Sequence, residues 1–253
     1  MGVECWGSLD LAGDGTLTVT SSSGASPEYG AVCTRGIKSN LTFNNYYIKD
    51  LGYKEILNTE IKRLFYCLTD KSGKGILSFI GPVARTEKGG ESFYVRDLAN
   101  AFDSSYSGGT VTLLRDISGV GQSIINGSFQ LNTDGHTVHF RGDPSLILQN
   151  GTFRVNGSIS AGGTLFMVRG GSLVLEAGIF TATKCAYVDG GKLEIPENAS
   201  VTLNAYNSPY ASTLIVNSGR AELRGGSFTA GEKAIAIGAH SGTVKLSTLL
   251  AQG

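Results

Sequence analysis

The sequence is poor in the residues that most often carry out catalysis or bind metals. Its 253 residues include four cysteines, three histidines and one tryptophan. The cysteines lie far apart and none belongs to a CxxC pattern, so a zinc site is not expected. We predict free thiols, mostly buried as small apolar residues, with a disulfide between Cys5 and Cys33 as the alternative. The other two cysteines are Cys67 and Cys185.

Charge is balanced and long apolar runs are missing. Lys+Arg and Asp+Glu each total 21, and charged residues make up 17% of the chain, against about 25% in ordinary domains. Such a balance gives no basic surface that would recruit nucleic acid. No segment approaches the roughly 18 apolar residues of a membrane span, and Met1 is not followed by the basic and apolar regions of a secretory signal. We expect no nucleic-acid partner and no membrane-spanning segment.

Glycine, in contrast, is abundant. The chain has 36 glycines and only five prolines, and the glycine content is about twice ordinary usage. Serine and threonine are also plentiful. This composition favours many short strands separated by tight turns, and it argues against a helical bundle or a disordered chain.

Short strand-like segments recur along the C-terminal part of the chain. Most of them alternate apolar with polar side chains, as a strand with one buried face does. Asn-Gly, Asp-Gly and Gly-Gly pairs separate them, and these residues accept the left-handed backbone of sharp corners. The predicted strands are 110–114, 129–131, 137–140, 145–148, 152–155, 164–168, 172–175, 192–195, 200–203, 213–216, 221–223, 234–237 and 243–246.

The spacing of these segments favours a solenoid. Leu173, Leu193, Leu223 and Leu246 each lie beside a Gly-Gly or Ser-Gly corner. Their separations, about 20–30 residues, fit one coil of a three-sided solenoid, whereas an antiparallel sandwich would repeat at about 8–12 residues. We predict a mainly β fold, a right-handed parallel β-helix with one or two short helices. Its predicted core residues are Leu113, Leu131, Val138, Leu148, Val155, Leu165, Leu173, Leu175, Leu193, Leu203, Leu214, Leu223, Ile235 and Leu246.

The chain divides into three predicted parts. Residues 1–45 resemble the end or start of a β-helix, and residues 93–253 form the main one. Residues 46–92 are an intervening segment, predicted to cap the downstream solenoid. Apolar residues between 53 and 68 follow helical spacing; strands at 65–68 and 76–80 are the alternative. A second, shorter helix is predicted at 96–104. Both ends of the chain fall within the pattern, so we expect it to be part of a larger protein.

Residues 93–250 resemble the pectate-lyase-like β-helix segments of large surface proteins from gut Firmicutes. The matching phrases are the short helix at 98–102, Gly-Gly-Thr-Val-Thr-Leu-Leu-Arg-Asp at 108–116, Leu-Asn-Thr-Asp-Gly-His-Thr-Val at 131–138 and Gly-Gly-Ser-Phe at 225–228. The resemblance implies a β-helix fold and an extracellular or cell-surface location. It implies little about activity, because such coils occur in enzymes, adhesins and spacers.

Three residues are weak catalytic candidates: Asp134, His136 and Asp143. The Asn-Thr-Asp phrase that ends at Asp134 resembles one of polygalacturonases, which need an acid and a separate base. The paired aspartates of their second motif are missing, so Asp134 with Gly135 is better interpreted as a corner. Asp143 closes an Arg-Gly-Asp tripeptide that precedes Pro144 and is predicted to be an ordinary turn. A lyase would need a Ca²⁺ cluster; otherwise we expect no cofactor and no metal.

Tyr206 and Tyr210 lie in the longest predicted loop between strands. Two exposed rings there would form a platform for a sugar, or would instead cover the wall of the solenoid. The first hypothesis for the whole chain is a non-enzymatic spacer or adhesin with weak carbohydrate binding, whose partners are glycans or other cell-surface ligands. The second is a polysaccharide lyase or glycoside hydrolase that acts on an acidic polysaccharide. Stacked solvent-facing carboxylates would favour the enzyme, and ladders of Ser, Thr and Asn would favour the module.

Overall fold

The structure, a computed structural model, describes residues 81–246 completely and, within residues 1–80, the strands alone. The chain forms two compact units, unit 1 at Met1–Pro82 and unit 2 at Val83–Gly253. Each is described separately below.

Unit 1 contains nine described strands in three small sheets. β1 pairs with β4 and β2 with β5, both in parallel, as successive coils of a β-helix do. The other pairings are antiparallel. The strands are β1 (Val3–Cys5), β2 (Leu9–Asp10), β3 (Thr16–Thr20), β4 (Val32–Arg35), β5 (Leu41–Thr42), β6 (Tyr47–Ile48), β7 (Leu51–Asn58), β8 (Arg63–Asp70) and β9 (Ile76–Ile80).

The helix predicted at residues 53–68 is wrong, and the alternative prediction of strands at 65–68 and 76–80 is confirmed. β7 and β8 pair as an antiparallel hairpin, and β8 also pairs with β4. The hairpin is rich in Tyr, Ile, Phe and Leu, which are compatible with strands, and the neighbouring strand overrides the helical spacing. The register sets Cys33 opposite Cys67 and Cys5 opposite Thr34. The alternative of a disulfide between Cys5 and Cys33 lies outside the residues whose side chains are described.

Unit 2 is a β-solenoid built from eighteen strands in one continuous sheet. Two short 3₁₀-helices, η1 (Leu98–Phe102) and η2 (Ser104–Tyr106), precede the coils. The helix predicted at 96–104 is therefore present in 3₁₀ form, and the described residues contain no α-helix. The strands are β10 (Ala84–Lys88), β11 (Glu91–Val95), β12 (Thr110–Leu113), β13 (Ile117–Val120), β14 (Ser123–Asn126), β15 (Phe129–Asn132), β16 (Val138–Phe140), β17 (Leu146–Asn150), β18 (Thr152–Asn156), β19 (Ile159–Ala161), β20 (Thr164–Val168), β21 (Ser172–Ala182), β22 (Lys184–Ile195), β23 (Ser200–Ala205), β24 (Ser212–Leu223), β25 (Ser227–Ala230), β26 (Ile235–Ala239) and β27 (Thr243–Leu246).

The coils stack their strands into three parallel faces. Face A comprises residues 110–113, 129–132, 152–156, 172–175, 192–195, 220–223 and 243–246. Face B comprises 117–120, 138–140, 159–161, 177–182, 200–205 and 227–230. Face C comprises 123–126, 146–150, 164–168, 184–188, 212–216 and 235–239. About six turns result, and the prediction of a parallel β-helix is confirmed.

The register defines the length of each coil. Leu173 pairs with Leu193, and Leu223 pairs with Leu246, as their spacing predicts. Leu193 pairs with Ala221 and not with Leu223, so the coil between them is slightly shorter than predicted, although it is still longer than its neighbours. The difference arises because Leu193 and Leu223 occupy two different inward positions of face A.

The core is a column of apolar side chains that point inward from all three faces. Twelve of the fourteen predicted core residues are at most 4% exposed. The exceptions are Ile235 and Leu246, which are 52% and 50% exposed. Both lie in the last described coil, and no described strand packs beyond them. Their burial was predicted from alternation along the strand, but burial in a solenoid also requires the next coil.

Two elements of unit 2 itself, β10 and the 3₁₀-helix η1, cover the first coil. β10 pairs antiparallel with both β12 and β11, and it thereby occupies the outer edge of the first strand of face A. The 3₁₀-helix η1 buries Leu98, Ala101 and Phe102. The Phe102 ring contacts Phe129 and Phe153 edge to face, with centroids 5.7 and 5.5 Å apart. For residues 46–80 the capping role stays a prediction.

Glycines stack at the corner between face C and face A, here called corner CA (residues 127–128, 151, 169–171, 189–191 and 217–219). Gly151 and Gly171 have φ of 77° and 67°, in the left-handed region that favours glycine. A Cβ on Gly171 would overlap the carbonyl oxygen of Gly151, and a Cβ on Gly151 would overlap that of Gly127. Successive coils therefore approach so closely at this corner that no side chain fits between them.

Candidate functional site

Face B presents an uncharged polar surface to solvent. Its inward residues are apolar, and its outward residues align from coil to coil in the parallel register. The first outward column consists of Ser118, His139, Ser160, Thr181, Asn204 and Thr229. A second outward column lies beside it and consists of Ser158, Ile179, Thr202 and Ser227. Columns of Ser, Thr and Asn side chains were predicted to favour a non-enzymatic module.

A shallow groove lies on face B where β16, β19 and β21 run side by side. Its volume is about 230 Å³, and it is lined by Thr137, Val138, Ser158, Ile159, Ser160, Ile179 and Thr181. Four of the seven lining residues carry hydroxyl groups and none carries a charge. Ile179 is 53% exposed, although it sits in the middle of a strand. The groove thus combines one open apolar side chain with a rim of hydroxyls.

His139 forms a hydrogen bond beside this groove. Its Nδ1 lies 3.0 Å from the Ser160 hydroxyl, and that hydroxyl donates to the Val138 carbonyl at 3.2 Å. The Ser160 hydroxyl is thus within hydrogen-bond distance of both the His139 ring and the Val138 carbonyl. Among the described residues, no carboxylate forms a hydrogen bond or ion pair with the His139 ring, so the arrangement does not activate Ser160 as a nucleophile.

The catalytic candidates Asp134, His136 and Asp143 support the corners of the coils. Asp134 has φ of 50° and is followed by Gly135 with φ of 82°, the backbone of a sharp turn. The Asp143 carboxylate accepts the backbone N–H of Thr164 in the next coil at 2.8 Å. His136 pairs with Asp116 at 3.6 Å. The three candidates thus act at separate places in the corners, and none of these contacts joins two of them.

Asp116 is a corner residue whose hydrogen-bond partner was not predicted from the sequence. Its carboxylate accepts the N–H of Thr137 at 2.7 Å, one coil along. Hydrogen bonds from the Thr137 backbone and hydroxyl, together with attraction to His136, hold the pKa of Asp116 below its usual range. The local signal is an Asp shortly after a strand, but its partner can be found only from the coil register.

Tyr206 and Tyr210 lie in the loop between β23 and β24, where face B turns toward face C. Tyr210 is 80% exposed and Tyr206 is 39% exposed, so the Tyr210 ring does not cover the solenoid wall. The loop is held by the Tyr206 N–H, which donates to the Ala182 carbonyl at 3.1 Å, and by the Ala211 N–H, which donates to the Ser208 carbonyl at 3.0 Å. Tyr206 comes two positions after Asn204, the fifth member of the polar column on face B.

Face A carries charge on its outer surface. Glu194 and Glu222 are register partners on adjacent strands, but Glu222 is only 7% exposed, so the pair is not the solvent-facing stack of carboxylates that was predicted to favour an enzyme. Lys192 lies between them, with its Nζ 2.9 Å from each carboxylate. Arg220 also pairs with Glu222, and the Arg224 guanidinium is 3.6 Å from it. Both carboxylates are therefore neutralised by neighbouring cations.

The ion pair with Lys192 predicts a pH-dependent contribution of Glu194 to stability. The hydrogen bond from Lys192 lowers the pKa of Glu194, with attraction to Lys192, Arg224 and Arg154 adding to it. Stability from a lowered pKa is present above the ordinary glutamate pKa and is lost as the pH falls through the folded-state pKa. We expect Glu194→Gln to lower the thermal midpoint at pH 7, by an amount that corresponds to less than about 1 kcal/mol. At a pH below the folded-state pKa of Glu194, the variant and the parent should have the same thermal midpoint.

The control for this prediction is Glu197→Gln, at an exposed corner. It should leave the thermal midpoint unchanged at both pH values. A Glu194→Gln protein that melts at the parental temperature at pH 7, or that stays equally destabilised in acid, would contradict the assigned ion pair. Thermal unfolding followed by far-ultraviolet circular dichroism provides the measurement.

Metal binding and membrane insertion receive no support from the described residues. Within residues 81–246, no three His, Cys, Asp or Glu side chains come close enough together to hold a metal ion. Among the described residues, no helix has the length and apolar character that crossing a membrane requires.

Cys185 is a buried free thiol, and burial raises its pKa to about 12, which leaves it unreactive.

Comparison with known proteins gives no relative. No protein-family model matches the chain, and no curated protein or solved structure matches it either. What the structure establishes is a β-solenoid of about six turns.

Proposed function

We propose that the chain is a non-enzymatic β-solenoid module of an extracellular or cell-surface protein, one that binds carbohydrate. The observation that supports this most is the uncharged ladder on face B, which leads along β23 to the exposed Tyr206 and Tyr210. Sugars are recognised by hydroxyl and amide hydrogen bonds together with contact between an aromatic ring and the apolar side of the sugar. The resemblance to surface-protein segments agrees with this function.

The state of the carboxylates also favours a binding module. A glycosidase needs one protonated and one ionised carboxyl group with room for substrate between them. Glu194 and Glu222 instead share Lys192, and the pKa of Glu194 is lowered. Asp116 and Asp143 each bind a backbone N–H of the following coil. These carboxylates stabilise the stack of coils.

We expect that removal of both tyrosine rings will weaken glycan binding. A Tyr206→Ala/Tyr210→Ala protein should bind about 5- to 150-fold more weakly, because each of the two ring contacts is worth roughly 0.5–1.5 kcal/mol. Its stability should stay close to the parental value, since Tyr210 is 80% exposed. Binding to an array of soluble and insoluble polysaccharides, followed by calorimetry on those that are retained, would measure the effect.

The matched control is Tyr94→Ala, which removes a tyrosine that is 41% exposed in the N-terminal hairpin of unit 2. It should bind as the parent does. Retained binding by the double tyrosine variant would contradict the proposed role of the loop, and a parent that binds no polysaccharide would contradict the proposed function.

The alternative function is a polysaccharide lyase or glycoside hydrolase, for which the register pair Glu194 and Glu222 is the specific observation. Under this alternative, incubation with acidic polysaccharides would release reducing ends or unsaturated products, and Glu222→Gln would abolish the release. The lyase version would also need added Ca²⁺. On the proposed function, neither product accumulates.

A further inference from the structure

The groove on face B has the chemistry of a site for an uncharged sugar. Its lining combines the exposed Ile179 with hydroxyl groups and contains no charged side chain. Hydroxyl groups alternate with carbon–hydrogen bonds around a sugar ring, so such a ring presents an apolar side and a hydrogen-bonding edge. A ring that rests on Ile179 would direct its edge toward the Ser and Thr side chains on either side.

The hydrogen-bonding groups at the groove have capacity left for a ligand. The Ser158 oxygen accepts the backbone N–H of Ile179 at 3.0 Å, which leaves its own O–H free to donate. The Thr181 hydroxyl has no protein partner among the described residues. The Ser158 O–H and the Thr181 hydroxyl, both in the lining of the groove that contains Ile179, are therefore free for a ligand.

The columns of outward side chains that form the groove continue along the axis of the solenoid. Thr181 is the register partner of Asn204, and Ile179 is the partner of Thr202. The Tyr206 N–H binds the Ala182 carbonyl, so Tyr206 follows directly at the end of the next strand. Equivalent positions on stacked strands repeat at about 4.8 Å, which offers a row of polar groups to a ligand that runs from coil to coil.

We propose that face B binds a linear, uncharged glycan along the solenoid axis, with one sugar seated on Ile179 and the chain directed toward Tyr206. This inference rests on the proposed carbohydrate-binding function and specifies the face, the direction and the class of ligand. The electrically neutral lining excludes a strong preference for acidic sugars, which would instead select the cations of face A.

The test is a charge introduced into the groove. Ile179→Lys places an ammonium group at a position that is 53% exposed, and the matched control Ile124→Lys does the same on face C at a position that is 48% exposed. Calorimetric titration of the full chain would use neutral oligosaccharides (cello-, xylo- and galacto-oligosaccharides) and oligogalacturonides as the acidic comparison. Each variant would be checked for the parental far-ultraviolet spectrum.

We expect Ile179→Lys to weaken neutral oligosaccharide binding at least tenfold and Ile124→Lys to change it less than twofold. Thr181→Val, which removes a hydroxyl at nearly constant volume, should weaken binding severalfold. Affinity for the neutral ligand should not change between low and high salt, because no ion pair forms.

Three outcomes would overturn the inference. If the parent binds only the acidic oligosaccharides, the class of ligand is wrong although carbohydrate binding itself stands. If the double tyrosine variant loses neutral binding while Ile179→Lys retains it, the site is confined to the loop, and the face and direction are wrong. If the parent binds neither class, the proposed function fails together with the inference.

Discussion

Replacement of Gly171 by alanine should lower the thermal midpoint of the solenoid by roughly 6–12 °C. Gly171 has a φ of 67°, and a Cβ there would overlap the Gly151 carbonyl oxygen. The left-handed backbone costs an L-residue about 1–2 kcal/mol, and the overlap forces two stacked coils apart at corner CA. Together they should cost about 3 kcal/mol or more, in the range of backbone mutations at strained sites.

Gly162→Ala is the matched control, because Gly162 lies at another corner where a Cβ would meet nothing within 4 Å. This variant should melt within about 2 °C of the parent, as surface substitutions do. If Gly171→Ala and Gly162→Ala melted at the same temperature, the close approach at corner CA would be wrong. Circular dichroism melts, with chemical denaturation as a second measurement, would decide.

Phe102→Ala should destabilise the N-terminal end of the solenoid by about 3–5 kcal/mol, the usual cost of removing a buried phenylalanine. Phe102 is 3% exposed and contacts Phe129 and Phe153, one in each of two successive face A strands. Since each coil contacts only its neighbours, the loss should appear first as increased amide hydrogen exchange in β12 and β15. The amides of β22 and β24 should keep most of their protection.

The control for this substitution is Ile124→Ala, which truncates a side chain that is 48% exposed on face C. It should leave both the melting temperature and the exchange pattern close to the parental ones. Uniform loss of protection in Phe102→Ala, from the first coil to the last, would show that the solenoid unfolds as one cooperative body and would contradict the local role of the 3₁₀-helix.

The solenoid is predictable from sequence because apolar and polar residues alternate within each strand. The alternation at Val111 and Leu113, or at Leu173 and Leu175, identifies the buried face without knowledge of any neighbour. The apolar spacing in the hairpin of β7 and β8 fits a helix as well as two strands, and only the pairing with β4 decides between them. β4 and β8 are far apart in the sequence, so their pairing cannot be predicted from the spacing of residues within either strand.

The candidate site is less predictable than the fold. Tyr206 and Tyr210 can be selected because a long loop with two tyrosines is visible in the sequence. The groove on face B is assembled from residues on three successive coils, such as Val138, Ser160 and Thr181. Their alignment depends on the length of each coil, which differs along the solenoid. Without the register, Ser160 is one serine among many.

The unequal coils also determine how the module would respond to a pulling force. In a parallel stack the hydrogen bonds between strands run along the axis, so tension between the two ends of the solenoid loads them directly, beginning with the outermost coil. Each coil that peels away releases its own contour of extended chain, about 65–100 Å at the usual reach per residue. A protein that contained this module would therefore lengthen in discrete steps under tension and absorb work before the whole solenoid had unfolded.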